Sequence, residues 1–233
     1  MVKNLLLYTL FLIGFHAQTL GQASRLKIGD LITNPDGSVE GVVAWINPEE
    51  TKGYMVALNG IIPLYSVQYG KNTLISEIPQ MKGLDTITAM WQALLDMDGY
   101  TNTQHLKNYS NCAADSDSAH MVCSVDFDNG WFIPSAGLLN LVMMNWILYI
   151  PTIMENGGSG LFDPIGPYWS STQYSSDSAW TYEGVRQNGF SVRSKTTKLS
   201  TIAVKEFTMP PRIALDTTLA YRWNTGGVTT NFI

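Results

Sequence analysis

Apolar residues recur at two spacings in different parts of this chain. A spacing of two residues predicts β-strands, and a spacing of three or four residues predicts helices. Residues 26–32 alternate between apolar and polar and end at the Asn-Pro-Asp-Gly turn of 34–37. Residues 41–46 and 54–58 are rich in β-formers and are separated by a polar loop at 47–53. The pattern predicts a first strand followed by a β-hairpin with a long loop.

Helical spacing appears between Leu84 and Met97, where apolar residues recur every three or four positions. Asp85 stands in the first turn, where an acidic side chain favours a helix start, and Gly99 follows the last turn. The segment therefore predicts a helix. Trp91 falls on its apolar face, so we predict that this side chain is part of the core.

A second helix is predicted to begin after Ser135, whose hydroxyl is of the type that accepts backbone N–H bonds at a helix start. The residues that follow are apolar nearly all round, which predicts deep burial, and Pro151 should stop or bend the helix. Beyond a loop rich in Gly and Pro at 157–167, the chain is predicted to be all β. The predicted strands there are residues 168–172, 179–185, 189–193, 202–207 and 213–223.

The amino terminus has the three parts of a secretory signal. Residues 1–4 carry one positive charge, residues 5–15 are apolar, and small and polar residues follow up to Ala23. We predict that residues 1–23 are a signal peptide; an uncleaved helix is the alternative, but the apolar run has no polar face. The run is too short for a membrane span, and no later segment is long and apolar enough for one. The sequence therefore predicts an exported protein that is periplasmic, at the cell surface or extracellular.

Charge and cysteine content narrow the possible partners and cross-links. The formal net charge is −5, which argues against a nucleic-acid partner held through its phosphates. Cys112 and Cys123 are the only cysteines in the sequence and lie in one polar loop. In an exported protein they are predicted to form a disulfide that closes a short loop; two free thiols or metal ligands are the alternatives.

Two segments far apart in the chain carry the residues of a family resemblance. Residues 130–135 (Gly-Trp-Phe-Ile-Pro-Ser) and 168–172 (Tyr-Trp-Ser-Ser-Thr) resemble the Gly-Trp, Leu-Pro-Ser and Tyr-Trp-Ser-Ser-Thr segments of a large family of secreted bacterial proteins with a C-type-lectin-like core. The resemblance implies an α+β fold in which two helices flank a small antiparallel sheet, with an N-terminal hairpin. It implies one domain over residues 24–207. Residues 208–233 are then a C-terminal extension of that domain, where the family usually ends.

Relatives of this core include the C-terminal domains of bacterial collagen-like adhesins and the variable ligand-binding proteins that retroelements diversify. The latter place their variable residues on strands and loops after the Trp-Ser-Ser segment. Carried over to this sequence, the resemblance implies that the strands after Trp169 present a ligand-binding face. We predict that Trp169 itself lies in the core, whereas alternation leaves open which way Trp180, Tyr182 and Phe190 face. The residues of that face are Trp180, Tyr182, Arg186, Asn188, Phe190, Arg193 and Lys195.

The sequence offers no constellation for catalysis or for a metal. Formylglycine-generating enzymes and iron-dependent sulfur enzymes share the C-type-lectin-like fold, but His105 and His120 lack a Glu four residues on, and the C-terminal core has no Cys. Residues 157–160 lack the spacing of a serine nucleophile elbow. Residues 126–130 lack the closing Glu of a calcium loop and are predicted to form a turn. We therefore predict no catalytic residue, no metal and no cofactor.

These observations predict a non-catalytic, exported, adhesin-like protein that recognises a glycan or a protein at the cell surface. The alternative is a structural subunit or cap of a surface assembly. The two functions differ in what the surface should present. A binding module should expose Trp180, Tyr182, Arg186 and Phe190 around a concavity, whereas an assembly subunit should have a long unpaired strand edge or a flat apolar patch.

Overall fold

A computed structural model describes residues 25–83, 85–114, 119–158, 167–184 and 189–210, with the backbone alone for 59–66. The predicted signal peptide, the predicted strand 213–223 and nearly all of the predicted C-terminal extension lie outside the described residues. Arg186 and Asn188 of the predicted ligand-binding face lie outside them as well. The described residues form a mixed α+β fold around one sheet of seven strands.

The sheet places the N-terminal hairpin beside the last strand. In space the strand order is β1-β2-β3-β7-β4-β5-β6. Neighbouring strands are antiparallel except β4 and β7, which are parallel. The predicted hairpin is confirmed as β2 and β3, with Val42 opposite Val56. The bounds are β1 Leu31–Thr33, β2 Val39–Ile46, β3 Lys52–Val67, β4 Tyr168–Gln173, β5 Ser178–Gly184, β6 Gly189–Ser194 and β7 Leu199–Thr208.

Four α-helices accompany the sheet in the described part of the chain. The family resemblance, by contrast, implies two helices and a small sheet. The helix predicted from residue 84 is confirmed, and the Asp85 carboxylate caps it by accepting from the backbone N–H of Thr88 at 2.8 Å. The bounds are α1 Thr86–Leu94, α2 Gly99–Tyr109, α3 Ala136–Met144 and α4 Trp146–Glu155, with short 3₁₀ turns at Met121–Ser124 and Phe127–Asn129.

The second predicted helix divides at Asn145 and not at Pro151. The Asn145 side chain donates to the carbonyl of Leu141 at 3.0 Å, which satisfies a terminal carbonyl of α3, and α4 then leaves at 75°. Pro151 lies inside α4 on an exposed side, where water can meet the carbonyl of Ile147 that the proline cannot bond. Within the described residues no single helix is long and apolar enough to cross a membrane; α3 and α4 reach that length and composition only as this bent pair.

The core has two parts, one on each side of the region where residues 130–135 meet β4. The larger part packs α1, α3 and α4 against β2, β3, β5 and β7. The smaller part lies against α2 and contains Trp169, Tyr69, Leu106, Met121 and Ile133. Cys112 and Cys123 form the predicted disulfide, with a Cα–Cα distance of 5.2 Å, and it ties the loop after α2 to the edge of the smaller part.

The two segments that carry the family resemblance meet through backbone and polar groups. The N–H of Ser171 donates to the carbonyl of Pro134 at 2.8 Å, and the N–H of Ala136 donates to the Thr172 hydroxyl at 2.8 Å. Thr172, and not Ser135, thus satisfies the first free N–H of α3, although Ser135 occupies the N-cap position. The predicted capping role of the Ser135 side chain is wrong because its hydroxyl donates elsewhere.

That hydroxyl is held by Asp96, which organises the junction. Ser135 Oγ donates to the Asp96 carbonyl at 2.7 Å, and the N–H of Gly137 reaches the same carbonyl at 3.0 Å. The buried Asp96 carboxylate accepts from Thr172 Oγ1 at 2.7 Å, from Asn102 Nδ2 at 3.0 Å and from the N–H of Asp98 at 3.0 Å. One residue therefore joins the end of α1, the start of α2, the start of α3 and β4.

Candidate functional site

The aromatic residues predicted for the ligand-binding face are buried. Trp180 donates from Nε1 to the carbonyl of Met81 at 3.1 Å, and Tyr182 packs edge-to-face on Phe190 with ring centroids 5.4 Å apart. All three belong to the larger part of the core, beneath α3 and α4. The prediction that these side chains are exposed around a concavity is therefore wrong. Residues 179–184 of β5 are all buried, so this strand has no free face.

Lys195, also predicted for that face, is a buried structural lysine. Its ammonium donates to the carbonyl of Thr73 and to Gln173 Oε1, both at 2.7 Å, and lies 5.2 Å from the centre of the Tyr69 ring. Gln173 in turn donates to the carbonyls of Ile75 and Ile78 at 3.1 and 3.2 Å. These contacts fasten the loop after β3 to the end of β4, so the lysine stabilises the fold and does not face a ligand.

We expect stability to rise with pH because of Lys195. Burial lowers the pKa of its ammonium to about 8, whereas a lysine in the unfolded chain has a pKa of about 10.4. Between these values the folded chain binds fewer protons than the unfolded chain, so the free energy of unfolding should increase by about 1–2 kcal/mol from about pH 7.5 to about pH 9.5. Urea titrations of the wild type and Lys195→Met at several pH values measure this rise. The variant should lack it and exposed Lys198→Met should keep it; equal slopes in wild type and Lys195→Met would contradict the assignment.

Arg193 is the one predicted face residue that the described structure leaves half exposed, and it has an internal partner. Its guanidinium bonds the Glu183 carboxylate through Nε at 2.8 Å and Nη2 at 3.1 Å. The hydroxyls of Thr181 and Ser191 donate to the same carboxylate. Burial raises the pKa of Glu183, but these hydrogen bonds and the arginine charge outweigh it and the net pKa is lowered. The pair therefore runs along one side of β5 and β6, from Arg193, which lies opposite Ala179, to Glu183 near the far end of β5.

Exposed apolar side chains lie instead on two helical surfaces. One surface, on α3 and α4, contains Met144, Ile147, Leu148 and Met154, and the other lies on α1 and its C-cap residue Leu95. Ile87, Trp91 and Leu95 follow one another at four-residue spacing, with exposed fractions of 67%, 61% and 80%. Ala89 and Ala93 form the buried side of the helix, so α1 approaches the core through small residues and turns its large ones outwards. The prediction that Trp91 is in the core is wrong for this reason. We call Ile87, Trp91 and Leu95 the α1 stripe.

A groove with aromatic walls opens where the hairpin, β7 and the start of α2 meet. Its volume is about 540 Å³, within the range of small-molecule sites. The rings of Trp45 and Tyr54 stack with centroids 5.7 Å apart, and Phe132 meets Tyr54 at 6.3 Å and Tyr100 at 5.7 Å, both edge-to-face. We call it the aromatic groove, lined by Trp45, Lys52, Tyr54, Met97, Asp98, Tyr100, Thr101, Gly130, Phe132, Leu138, Lys205 and Glu206.

Both cations of the aromatic groove are paired with carboxylates. Lys52 lies 3.2 Å from Glu206, and the hydroxyl of Tyr54 donates to the same carboxylate at 3.0 Å. Lys205 donates to Glu40 at 2.5 Å, and Asp98 completes the charged lining. Burial, followed by the contact with Glu206, raises the pKa of Tyr54, so its hydroxyl keeps its proton and remains a donor.

No local sequence pattern predicts the aromatic groove, because its lining comes from five separate parts of the chain. Trp45 belongs to the β-rich pattern of residues 41–46, which predicts a strand and not a binding site. In the part of the chain that the structure describes, no group of three or more His, Cys, Asp or Glu side chains is placed to hold a metal ion. We take the α1 stripe and the aromatic groove as the candidate surfaces, because the exposed apolar group of Met144, Ile147, Leu148 and Met154 contains no aromatic ring. Neither candidate uses an aromatic residue of the face predicted from the sequence.

Comparison with known proteins relates the chain to others by fold alone. Neither the protein-family models nor the curated proteins contain a match to the sequence. Among solved structures the chain is similar to the crystal structure of a fimbrial protein from Bacteroides ovatus, with 15% sequence identity and a TM-score of 0.50. The likeness covers 78% of this chain and 49% of the other, so this chain spans about half the length of the fimbrial protein.

Proposed function

We propose that this protein is a non-catalytic, exported, adhesin-like component of a surface assembly that packs against a second copy of itself through the α1 stripe. The exposure of Ile87, Trp91 and Leu95 carries the proposal. Contiguous apolar surface of this kind marks protein contacts, and tryptophan is among the residues that contribute most to them. Of the two functions predicted from the sequence, the apolar patch favours the assembly subunit.

The charge of α1 supports a second copy as the partner. In a two-fold contact each surface meets itself, so a charged side chain on the axis would face an identical charge. Thr86–Leu94 contains no charged residue, and Asp85 and Asp96 stand just outside its ends. A helix pair could therefore bury the α1 stripe without opposing like charges. The outermost strands are short, with three residues in β1 and six in β6, so they offer less surface for strand addition than the stripe offers for packing.

The fimbrial protein from Bacteroides ovatus supports an assembly role, since its fold is similar and fimbriae are surface assemblies. The proposal includes the C-type-lectin-like core and the family resemblance of residues 130–135 and 168–172. The contact between Ser171 and Pro134 supports that part, because the two segments carrying the resemblance pack together. It also includes export through the N-terminal signal, with location at the cell surface.

Self-association of the exported chain tests the proposal. We expect the wild type to form dimers in sedimentation velocity between about 1 and about 100 μM, because burial of the α1 stripe removes apolar surface from water. Trp91→Lys should raise the dimer dissociation constant by at least about thirtyfold, the effect of losing a central interface residue.

Met154→Lys is the matched control, since Met154 is 59% exposed on α4 and so resembles Trp91 in exposure. It should leave the dissociation constant within about threefold of the wild type. Circular dichroism of both variants should be that of the wild type. A wild type that stays monomeric at the highest concentration, or a Met154→Lys variant weakened as much as Trp91→Lys, would overturn the proposal.

A further inference from the structure

The aromatic groove has walls that suit a flat ligand with carbon–hydrogen faces. Trp45 is half-buried and Tyr100 is exposed, while Tyr54 and Phe132 are buried deeper. One face of Trp45 stacks on Tyr54 and one face of Tyr100 stacks on Phe127, so a ligand can meet the other face of each ring. An aromatic ring carries partial negative charge on its face and attracts the weakly positive hydrogens of a C–H face laid against it. Each deeper ring is held by its neighbours, Tyr54 between Trp45 and Phe132, so the arrangement exists before any ligand arrives.

The polar groups of the groove suit hydroxyl groups. Lys52 and Glu206 stand 3.2 Å apart, so a donor and an acceptor lie side by side, and both side chains are half exposed. Two hydroxyls on adjacent carbons could meet that pair, one accepting from the ammonium and one donating to the carboxylate. Asp98 and Thr101 are exposed and add a second carboxylate acceptor and a hydroxyl to the lining.

The charges of the lining decide against an anionic ligand. Lys52 is paired with Glu206, and Lys205 is paired with Glu40 outside the lining, so Asp98 is the one lining charge without an ion pair among the described residues. No unpaired cation is thus left to concentrate a phosphate or a sulfate. The aromatic rings and paired charges of the groove instead suit a neutral ligand that has apolar faces and hydroxyl groups along its rim.

We infer that the aromatic groove binds a neutral oligosaccharide, with sugar rings against Trp45 and Tyr100 and hydroxyls at Lys52, Glu206 and Asp98. This site goes beyond the proposed assembly role and does not depend on the α1 stripe. It also differs from the face predicted from the sequence, since it lies on the hairpin and α2 side of the molecule. The lining contains no His or Cys, and binding through the rings and paired charges should survive a chelator.

An array of neutral oligosaccharides tests the inference, with glucose, mannose, galactose, N-acetylglucosamine, xylose, arabinose and fucose chains in both α and β linkages. We expect the exported chain to bind at least one of these probes in the presence of EDTA. Trp45→Ala and Tyr100→Ala should each weaken that binding by about tenfold or more, as measured by titration calorimetry. If Trp45→Ala fails to fold because Trp45 is half-buried, the exposed Tyr100→Ala variant still measures the contribution of the groove to binding.

Trp91→Lys separates this inference from the proposed function. It should weaken self-association by at least about thirtyfold and leave the oligosaccharide affinity unchanged. Gln104→Ala, an exposed change on α2 away from the groove lining, should also leave the affinity unchanged. Silence on every neutral probe, binding that Trp45→Ala and Tyr100→Ala do not weaken, or a preference for charged glycans or peptides in the same groove would overturn the inference.

Discussion

Replacing Asp96 with alanine should lower the free energy of unfolding by about 3–5 kcal/mol. The carboxylate accepts three hydrogen bonds in a buried place, from Thr172, Asn102 and the N–H of Asp98. Hydrogen bonds to a charged group contribute about 1.5–3 kcal/mol each, and donors left buried without an acceptor add a desolvation cost. The three losses should not be fully additive, because the partners belong to one network.

The effect should extend beyond Asp96 itself because Thr172 depends on it. The Thr172 hydroxyl donates to Asp96 and at the same time accepts from the N–H of Ala136 at the start of α3. Without the carboxylate, nothing in this network fixes the direction of that hydroxyl. The start of α3 and the contact between β4 and Pro134 should therefore loosen together. Hydrogen exchange of the Ala136 and Ser171 amides would report the loosening directly.

Asp98→Ala is the matched control, two residues away and exposed, with no side-chain bond at its N-cap position. It should change the free energy of unfolding by about 0.5 kcal/mol or less in urea titration. Asp96→Asn should fall between the two, because an amide keeps one acceptor and presents donors where an acceptor is needed. A loss below about 1 kcal/mol for Asp96→Ala would show that the junction is held by packing and not by this network.

The strands and helices follow from the sequence to the extent that local periodicity sets them. Alternation predicted the hairpin β2 and β3, and helical spacing with Asp85 as a cap predicted α1. The two segments that carry the resemblance are far apart in the chain and are joined by the hydrogen bond from the Ser171 N–H to the Pro134 carbonyl. The sequence had no signal for Asp96, which is 39 residues from Ser135 and 76 from Thr172, because a junction between distant segments has no local period.

The spacing of apolar residues does not decide which face of a strand or helix is buried, as β5 and α1 show. Alternation along β5 groups Trp180 with Tyr182, but it does not say that α3 and α4 cover that side while Thr181 and Glu183 are buried on the other. On α1 the apolar residues cover a wide arc of the helix, so the sequence does not decide which part of that arc faces the core. The close approach of Ala89 and Ala93 decides it, and so leaves Trp91 outside.

Alanine substitutions of a buried and an exposed tryptophan, Trp169 and Trp91, should differ strongly in their effect on the free energy of unfolding. Trp169→Ala should lower the free energy of unfolding by about 3–5 kcal/mol, the usual cost of deleting a large buried aromatic side chain. Trp169 is fully buried, packs edge-to-face on Tyr69 with centroids 5.7 Å apart, and donates from Nε1 to the carbonyl of Val67 at 3.1 Å. The variant loses the ring contacts and leaves a cavity in the smaller part of the core. It also leaves the Val67 carbonyl without the hydrogen bond from Trp169.

Trp91→Ala should cost about 0.5 kcal/mol or less, because an exposed side chain leaves no cavity when it is removed. Both variants are compared with the wild type by urea unfolding at a concentration where the chain is monomeric, since dimerisation would add its own free energy to the wild type alone. If Trp91→Ala lost as much as Trp169→Ala under those conditions, Trp91 would be covered within the folded chain itself. The α1 stripe would then not be available for a partner, and the assembly proposal would fail on stability data alone, before any sedimentation measurement.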